Sequence, residues 1–306
     1  MSNSQTNAVI ESQDSTDVEI VRGTSRFKLY VRRFFRNRGA AIGSVIFVFL
    51  VGFALIGEYL TPWAFFDPDF LNLSTPPSNE HWFGTTDAGH DLFAQIAHGL
   101  GRSLIIGVSV AFATTLLSAF IGAGAALLGG WVEKSTLSVI HFLLAVPSFL
   151  ILAMLVSDSG GDWKMLIVVM IAFGWMSSSR VIWSLSLSVR ENDFVRAARY
   201  MGVSRTKTIF RHMLPSIASL LVIQFVLGTV GTVMAETGLS FLGLGVKLPD
   251  VSLGTLLSSG TATIITAPWQ FYFPAGVLTL LTISMALIAD GLRDAIDPNS
   301  QSGGKA

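Results

Sequence analysis

The sequence predicts an all-α polytopic membrane protein with about six transmembrane helices and both termini on the cytoplasmic side. Three observations predict it. First, of 306 residues 51% are hydrophobic and only 13% charged, with a mean hydropathy of +0.60, whereas a soluble domain carries about 25% charged residues. Second, long uncharged runs alternate with short charged islands, as crossing hydrocarbon requires. Third, the basic residues are strongly sided, although the formal net charge is zero. There is no cysteine, which excludes disulfides, thiolate metal sites and cysteine nucleophiles.

Residues 1–25 are polar, rich in Ser, Thr and acids, and are expected to be a disordered cytoplasmic tail rather than a cleaved signal. Residues 26–39 form a basic cytoplasmic segment, and 40–298 the membrane domain. Its first span is expected at 40–60, with Glu58 at the far end. The second, at 103–130, lies in an uncharged run longer than the ~20 residues a crossing needs. The third, 135–156, contains Pro147 as a kink. The fourth, 165–183, includes Arg180 near its end, where the side chain can snorkel. The fifth covers 214–236. The uncharged stretch 251–289 is then divided. Its first part, rich in Ser, Thr and Gly, is a re-entrant or interfacial piece, and its apolar part forms the sixth span at 271–290. Residues 299–306 are a second cytoplasmic tail.

With the N-terminus inside, 17 Lys and Arg fall on the cytoplasmic side, and only Arg102, Lys164 and Lys247 fall outside. That asymmetry orients the chain and supports the even number of spans. In the first outer linker, His81, His90 and His98 are nine and eight residues apart, which fits no compact ligand pattern. They are expected to be scattered solvated histidines, with no metal site. Glu58 and Glu236 are expected to be exposed at outer helix ends, and Asp290 to pair locally with Arg293.

The cytoplasmic loop 190–213 is the most informative stretch. Asn192 or Asp193 can cap a short helix that Gly202 closes. Phe194, Ala197, Ala198 and Met201 fall at i, i+3, i+4 and i+7 in one apolar stripe, with Arg196 and Arg199 turned away. Under three turns long, such a helix is unstable alone in water. Ser204 can cap a second helix, and Pro215 marks entry to the fifth span. On these residues alone, a helix lying on the inner membrane surface and a helix docking in a partner's groove are both open.

The pattern Arg196-Ala197-Ala198, three residues, Gly202, eleven residues, Leu214-Pro215 resembles the cytoplasmic loop signature of binding-protein-dependent ABC importer permeases. Arg196 stands where that signature has glutamate and His212 where it has isoleucine. Trp82-Phe83-Gly84-Thr85-Thr86-Asp87 with His90-Asp91, Glu236 to Gly245, Ser252 to Leu257 and Asp290 to Pro298 resemble further segments of the dipeptide/oligopeptide/nickel branch. The polar N-terminal tail with six spans resembles its second, C-type permease.

This resemblance implies a type I importer permease fold in a bacterial-type inner membrane. It implies a coupling helix seated in an ATPase subunit, with Phe194, Arg196, Ala197, Ala198, Met201, Gly202, Leu214 and Pro215 as the coupling-loop residues. The implied partners are a second homologous permease, two cytoplasmic ATPase subunits and an extracytoplasmic substrate-binding protein, besides membrane lipid and no nucleic acid. The implied substrate is a di- or oligopeptide, with nickel or another small solute as the alternative.

No Gly-x₄-Gly-Lys-Ser/Thr phosphate loop occurs, so ATP and Mg would be bound by the partner ATPases, and the chain itself is expected to carry no cofactor and no catalytic site. A secondary transporter would need membrane-embedded carboxylates near mid-span, and none of the six spans has one there. Along the fifth span Gln224, Gly228, Gly231, Thr232 and Ala235 share one face. That stripe either lines the solute path or packs against another helix.

Overall fold

The computed structural model describes residues 26–158 and 160–296. The expected tails at 1–25 and 299–306 lie outside the described residues. Among the described residues the chain is helical throughout, with only two isolated β-bridges, Pro68–His90 and Thr85–Asp91. Five helices are long and apolar enough to cross a bilayer, and a bent helix pair can supply a sixth crossing. Composition therefore led to the right architecture.

The basic segment folds as α1 (Arg26–Arg36), and α2 (Arg38–Ile56) is the first crossing helix. Asn37 separates them with extended backbone, and its Oδ1 accepts the Ala40 N–H at 3.1 Å. A single 3₁₀ turn, Gly57–Tyr59, ends the crossing. The next helix, α3, runs Leu92–Leu128, 37 residues against the 28 expected for the span at 103–130. At 1.5 Å per residue it is about 55 Å long, well beyond the ~30 Å hydrocarbon core. Its first three turns, carrying Gln95, His98 and Arg102, therefore belong to a cap outside the membrane. Asp91 starts it by accepting the Ala94 N–H at 2.8 Å.

Helices α4 (Gly130–Ala145) and α5 (Ser148–Asp158) meet at an angle of 69°. Pro147 sits at the joint. Its ring holds Val146 in extended backbone, so the single kinked span expected at 135–156 is two helices. Helix α6 (Trp163–Arg190) continues past the expected end, and Arg180 projects outward from it.

Small residues let these helices approach closely. A Cβ added at Gly122 of α3 would meet the Ser179 carbonyl of α6 at 2.7 Å, and one at Gly107 would meet Val233 at 2.6 Å. Ser118 Oγ donates across to the Trp175 carbonyl at 2.9 Å. Half of α3's most apolar stretch (50%) is buried within the protein, against 17–33% for the other single crossing helices. Helix α3 is thus the central strut, and the others present Val45, Phe49, Phe142 and Met154 outward as lipid-facing surface.

The cytoplasmic loop folds as α7 (Asp193–Tyr200) and α8 (Arg205–Thr208), then a π turn (Ile209–Met213) leading into α9 (Leu214–Phe241). The π turn lies directly before Pro215, which cannot donate a backbone hydrogen bond. The Ser/Thr/Gly-rich stretch forms α10 (Leu253–Ala262), started by a reciprocal Ser252–Thr255 capping box. At 10 residues it is about half the length of a crossing, and it tucks against α9, where a Cβ at Gly254 would meet the Thr237 carbonyl at 2.6 Å. Helix α11 (Trp269–Ile296) is the last crossing. Asn37 Nδ2 donates to Asp294 at 2.7 Å, fastening the start of α2 beside the end of α11. Asp294 is thus tied into α2, while among the described residues no ion pair joins Asp290 to Arg293, contrary to expectation.

Candidate functional site: the cytoplasmic loop and the outer cap

Helix α7 begins at Asn192, whose carbonyl, not its side chain, accepts the first N–H groups. It ends in a Schellman motif. Val203 N–H donates to the Ala198 carbonyl and Gly202 N–H to that of Arg199, both at 3.1 Å, with Gly202 at φ +77°. Ser204 Oγ then accepts the Lys207 N–H at 3.4 Å and caps α8.

The side of α7 that is buried differs from the expected stripe. Val195 is fully buried (0% exposed) with Ala198, in a cluster with Leu127 at the end of α3, Met213, Val189 and Ile209. Of the predicted stripe only Ala198 faces in. Phe194 (47%), Ala197 and Met201 (75%) face out, beside Tyr200 (84%). The ends of α3 and α6 select this side, because together they offer a pocket that fits Val195. Periodicity within one short helix cannot register that. Arg190 ties the same corner together, its Nη1 donating to the Ala126 carbonyl at 2.8 Å. Arg196 and Arg199 are exposed, Leu214 is half-buried and Pro215 is exposed.

The fifth-span stripe lies mostly open. Gln224, Gly228 and Thr232 are half-buried, and Gly231 and Ala235 are exposed. A Cβ at Gly228 would make ordinary contact with Ala111 at 3.5 Å, and one at Gly231 would meet nothing within 4 Å. Among the described residues no helix closes over Gly231.

The opposite end of the bundle is a cap built from residues 57–91, the start of α3 and residues 242–268. Four expectations are corrected here. Glu236 is not exposed: it is fully buried (0%) in the last turns of α9. Ser103 Oγ donates to its Oε2 at 2.9 Å and Ser240 Oγ to its Oε1 at 2.7 Å. Those hydroxyls in turn accept N–H groups of Leu253 and Val246, so one carboxyl group organises α3, α9 and the start of α10. A buried carboxyl group therefore does lie within a span, at its outer end.

Nor are the histidines scattered. His81 is buried (2%), with Nδ1 2.8 Å from Asp91, Nε2 3.5 Å from Asp69, and its ring against Trp63. His98 bridges Glu58 (2.7 Å) and Asp250 (2.8 Å) and stacks on Phe65. Glu58 is thus a partner, not a free end charge. His90 alone of the three has no acid beside it among the described residues. In each trio the carboxylates flank opposite ring nitrogens, so their lone pairs cannot converge on one metal ion.

Arg102 extends the network, 2.7 Å from Asp250 and over the Trp163 ring at 4.2 Å. Asp69 accepts from the Asn72 amide and the Leu71 N–H. These bonds, with His81 nearby, hold its carboxyl below the usual carboxylate range. Gln270 and Trp269 both donate to the Thr85 carbonyl, laying the Trp82–Asp91 segment on the start of α11.

The sequence reasoning missed Val195, Glu236 and the His98–Asp250–Arg102 network. One signal was present: His98 and Arg102 stand at i and i+4, just ahead of the apolar run, as on one face of a helix that starts early.

Comparison with known proteins bears on both regions. The family described as binding-protein-dependent transport system inner membrane component matches residues 115–301, which include the cytoplasmic loop and the α10 segment. The N-terminal transmembrane domain of oligopeptide transport permease C matches residues 25–77. A relative named oligopeptide transport system permease protein OppC, from Mycobacterium tuberculosis (strain ATCC 25618 / H37Rv), is 43% identical over 282 residues, covering 91% of this chain and 96% of its own. A putative peptide permease of Brucella suis is 36% identical over 272 residues, covering 88% and 90%. The OppC of Haemophilus influenzae is 32% identical over 301 residues, covering 97% of each chain.

Proposed function

The chain belongs to the inner membrane components of binding-protein-dependent transport systems, and we propose that it is the second, C-type membrane subunit of an ATP-driven importer of di- and oligopeptides. Relatives bearing oligopeptide and peptide permease names support the substrate class. It is a multi-pass inner-membrane protein.

The single observation that carries the coupling role is the arrangement of α7. Val195 locks the helix onto the ends of α3 and α6, with Ala198 also buried, while Phe194, Ala197, Tyr200 and Met201 stand exposed beyond the membrane-spanning bundle. An apolar face of this size on a short, rigidly seated helix suits the groove of a cytoplasmic partner. Two ATPase subunits, holding ATP and Mg themselves, would receive it and its counterpart on a second permease. Closure of the ATPases would push α7, and α3, continuous to the outer cap, would carry that displacement as rigid-body motion. The open stripe of Gln224, Gly228 and Thr232 would then face the path between the two permeases. An extracytoplasmic binding protein would deliver the solute to the cap.

Co-purification tests this. Phe194→Glu and Ala197→Trp alter only the exposed side, so membrane insertion should persist while ATPase subunits fail to co-purify and peptide uptake falls. Normal ATPase association in both variants would overturn the coupling role. Co-isolation with a metal-binding rather than a peptide-binding protein would overturn the substrate.

A further inference from the structure

Helix α1 is the feature that the transport reading does not use. By helical register Arg26, Lys28, Arg32, Arg33 and Arg36 fall on one side of it, and Phe27, Tyr30, Val31, Phe34 and Phe35 on the other; Leu29 departs from the division. The two sides occupy separate arcs. The helix is seated at its C-terminal end. Asn37 turns the chain into α2 and donates to Asp294, and Phe34 packs at Gly291 of α11, where a Cβ would meet its ring at 3.2 Å. Among the described residues the rest of the apolar side is not covered, because Tyr30, Val31 and Phe35 are all more than a third exposed. Arg32 and Arg33 are exposed, and neither has an acidic partner among the described residues.

We infer that α1 lies flat in the cytoplasmic leaflet and binds the headgroups of anionic phospholipids. Its apolar side joins directly to the first crossing helix, so the hydrocarbon boundary that takes up α2 also takes up Tyr30, Val31 and Phe35. Water would leave them exposed. Segregation of the basic from the apolar side chains, broken only at Leu29, is what an interface between water and hydrocarbon selects. Arg32 and Arg33, exposed on a strongly basic segment immediately before a crossing helix, complement an anionic leaflet, each contributing about 1 kcal/mol near such a surface. The inference does not depend on the transported solute or on the docking role of α7.

The full chain, which contains no cysteine, allows a clean test. Phe35→Cys carrying an environment-sensitive fluorophore is reconstituted in nanodiscs of phosphatidylcholine with or without phosphatidylglycerol. The label should be shielded from an aqueous quencher, more so with phosphatidylglycerol, and shielding should weaken as salt rises. Native mass spectrometry of the unlabelled chain should show phosphatidylglycerol retained over phosphatidylcholine. The combined Lys28→Gln, Arg32→Gln and Arg33→Gln variant should lose that preference by at least about tenfold, while Arg32→Lys with Arg33→Lys keeps it. A preference unchanged by charge removal and by salt would overturn the inference. So would a label shielded only when ATPase subunits are present, which would make α1 a protein-docking helix.

Discussion

The two ends of the helical bundle solve opposite problems. At the outer end, charged and polar side chains are drawn inward and paired: Glu236 with two serines, His81 between Asp69 and Asp91, His98 between Glu58 and Asp250, Arg102 on Asp250. At the inner end, Arg196 and Arg199 lie in the open beside exposed Phe194, Tyr200 and Met201. In the outer cap these charged groups find their partners within the chain, since burying an unpaired polar group costs more than a bond to it returns. The inner loop leaves apolar surface for something else to cover. The contrast separates a part built to hold a shape from a part built to be held.

Variants can break or sharpen that contrast, and the largest effect is expected at Glu236. Replacing it with Ala leaves the Ser103 and Ser240 hydroxyls without their shared acceptor. The loss should be about 3–5 kcal/mol, seen as a collapse of thermal stability in detergent. Glu236→Gln, which keeps one acceptor oxygen, should cost less. An unchanged melting temperature in Glu236→Ala would refute the view of the cap as a single polar unit.

Next in size, Phe194→Glu should weaken ATPase association by about 2–4 kcal/mol if Phe194 anchors the docking face. Its effect on melting should stay within about 0.5 kcal/mol, as for other surface changes. Val195→Ala should do the reverse, because it empties the seat of α7 and leaves the docking face intact. If both variants lower stability equally, the two sides of α7 do not have separate duties.

Gly202→Ala should cost about 1 kcal/mol or slightly more through its positive φ, with no clash because the space is open. Gly202→Asn should recover part of that. Pulsed hydrogen exchange at α7 would report the loosened loop.

The smallest effect concerns pH. The Asp69 carboxyl is depressed in the folded state. Its contribution is therefore fully present above the ordinary carboxylate value and is lost as pH falls through its lowered folded value. Asp69→Asn should flatten the acid limb of a melting-temperature profile slightly and leave neutral pH nearly unchanged.

The membrane class and the short helix near Asp193–Tyr200 were both legible, because each rests on local pattern. Gly202 as a left-handed cap and Ser204 as the next start could be read directly, since a Schellman end and an N-cap need only neighbours in sequence. Which face of α7 is buried could not, because Leu127 and Met213 decide it from 68 and 18 residues away in sequence. The early start of α3 at Leu92, ahead of the apolar run, went unread for the same reason. His98 and Arg102 look like residues to be left in water until Glu58, Asp250 and Trp163 arrive beside them.

By itself, then, the sequence determined where hydrocarbon must be crossed, which ends carry the basic residues, and where the short cytoplasmic helix starts and stops. Those follow from transfer free energy and backbone geometry, which act residue by residue. Only the tertiary structure decided that Glu236 and the histidines are interior, that Val195 seats α7, and that Phe194, Tyr200 and Met201 remain outside. A charged group's cost of burial depends on the partner that meets it, and a partner 152 residues distant, as Asp250 is from His98, is supplied by packing alone.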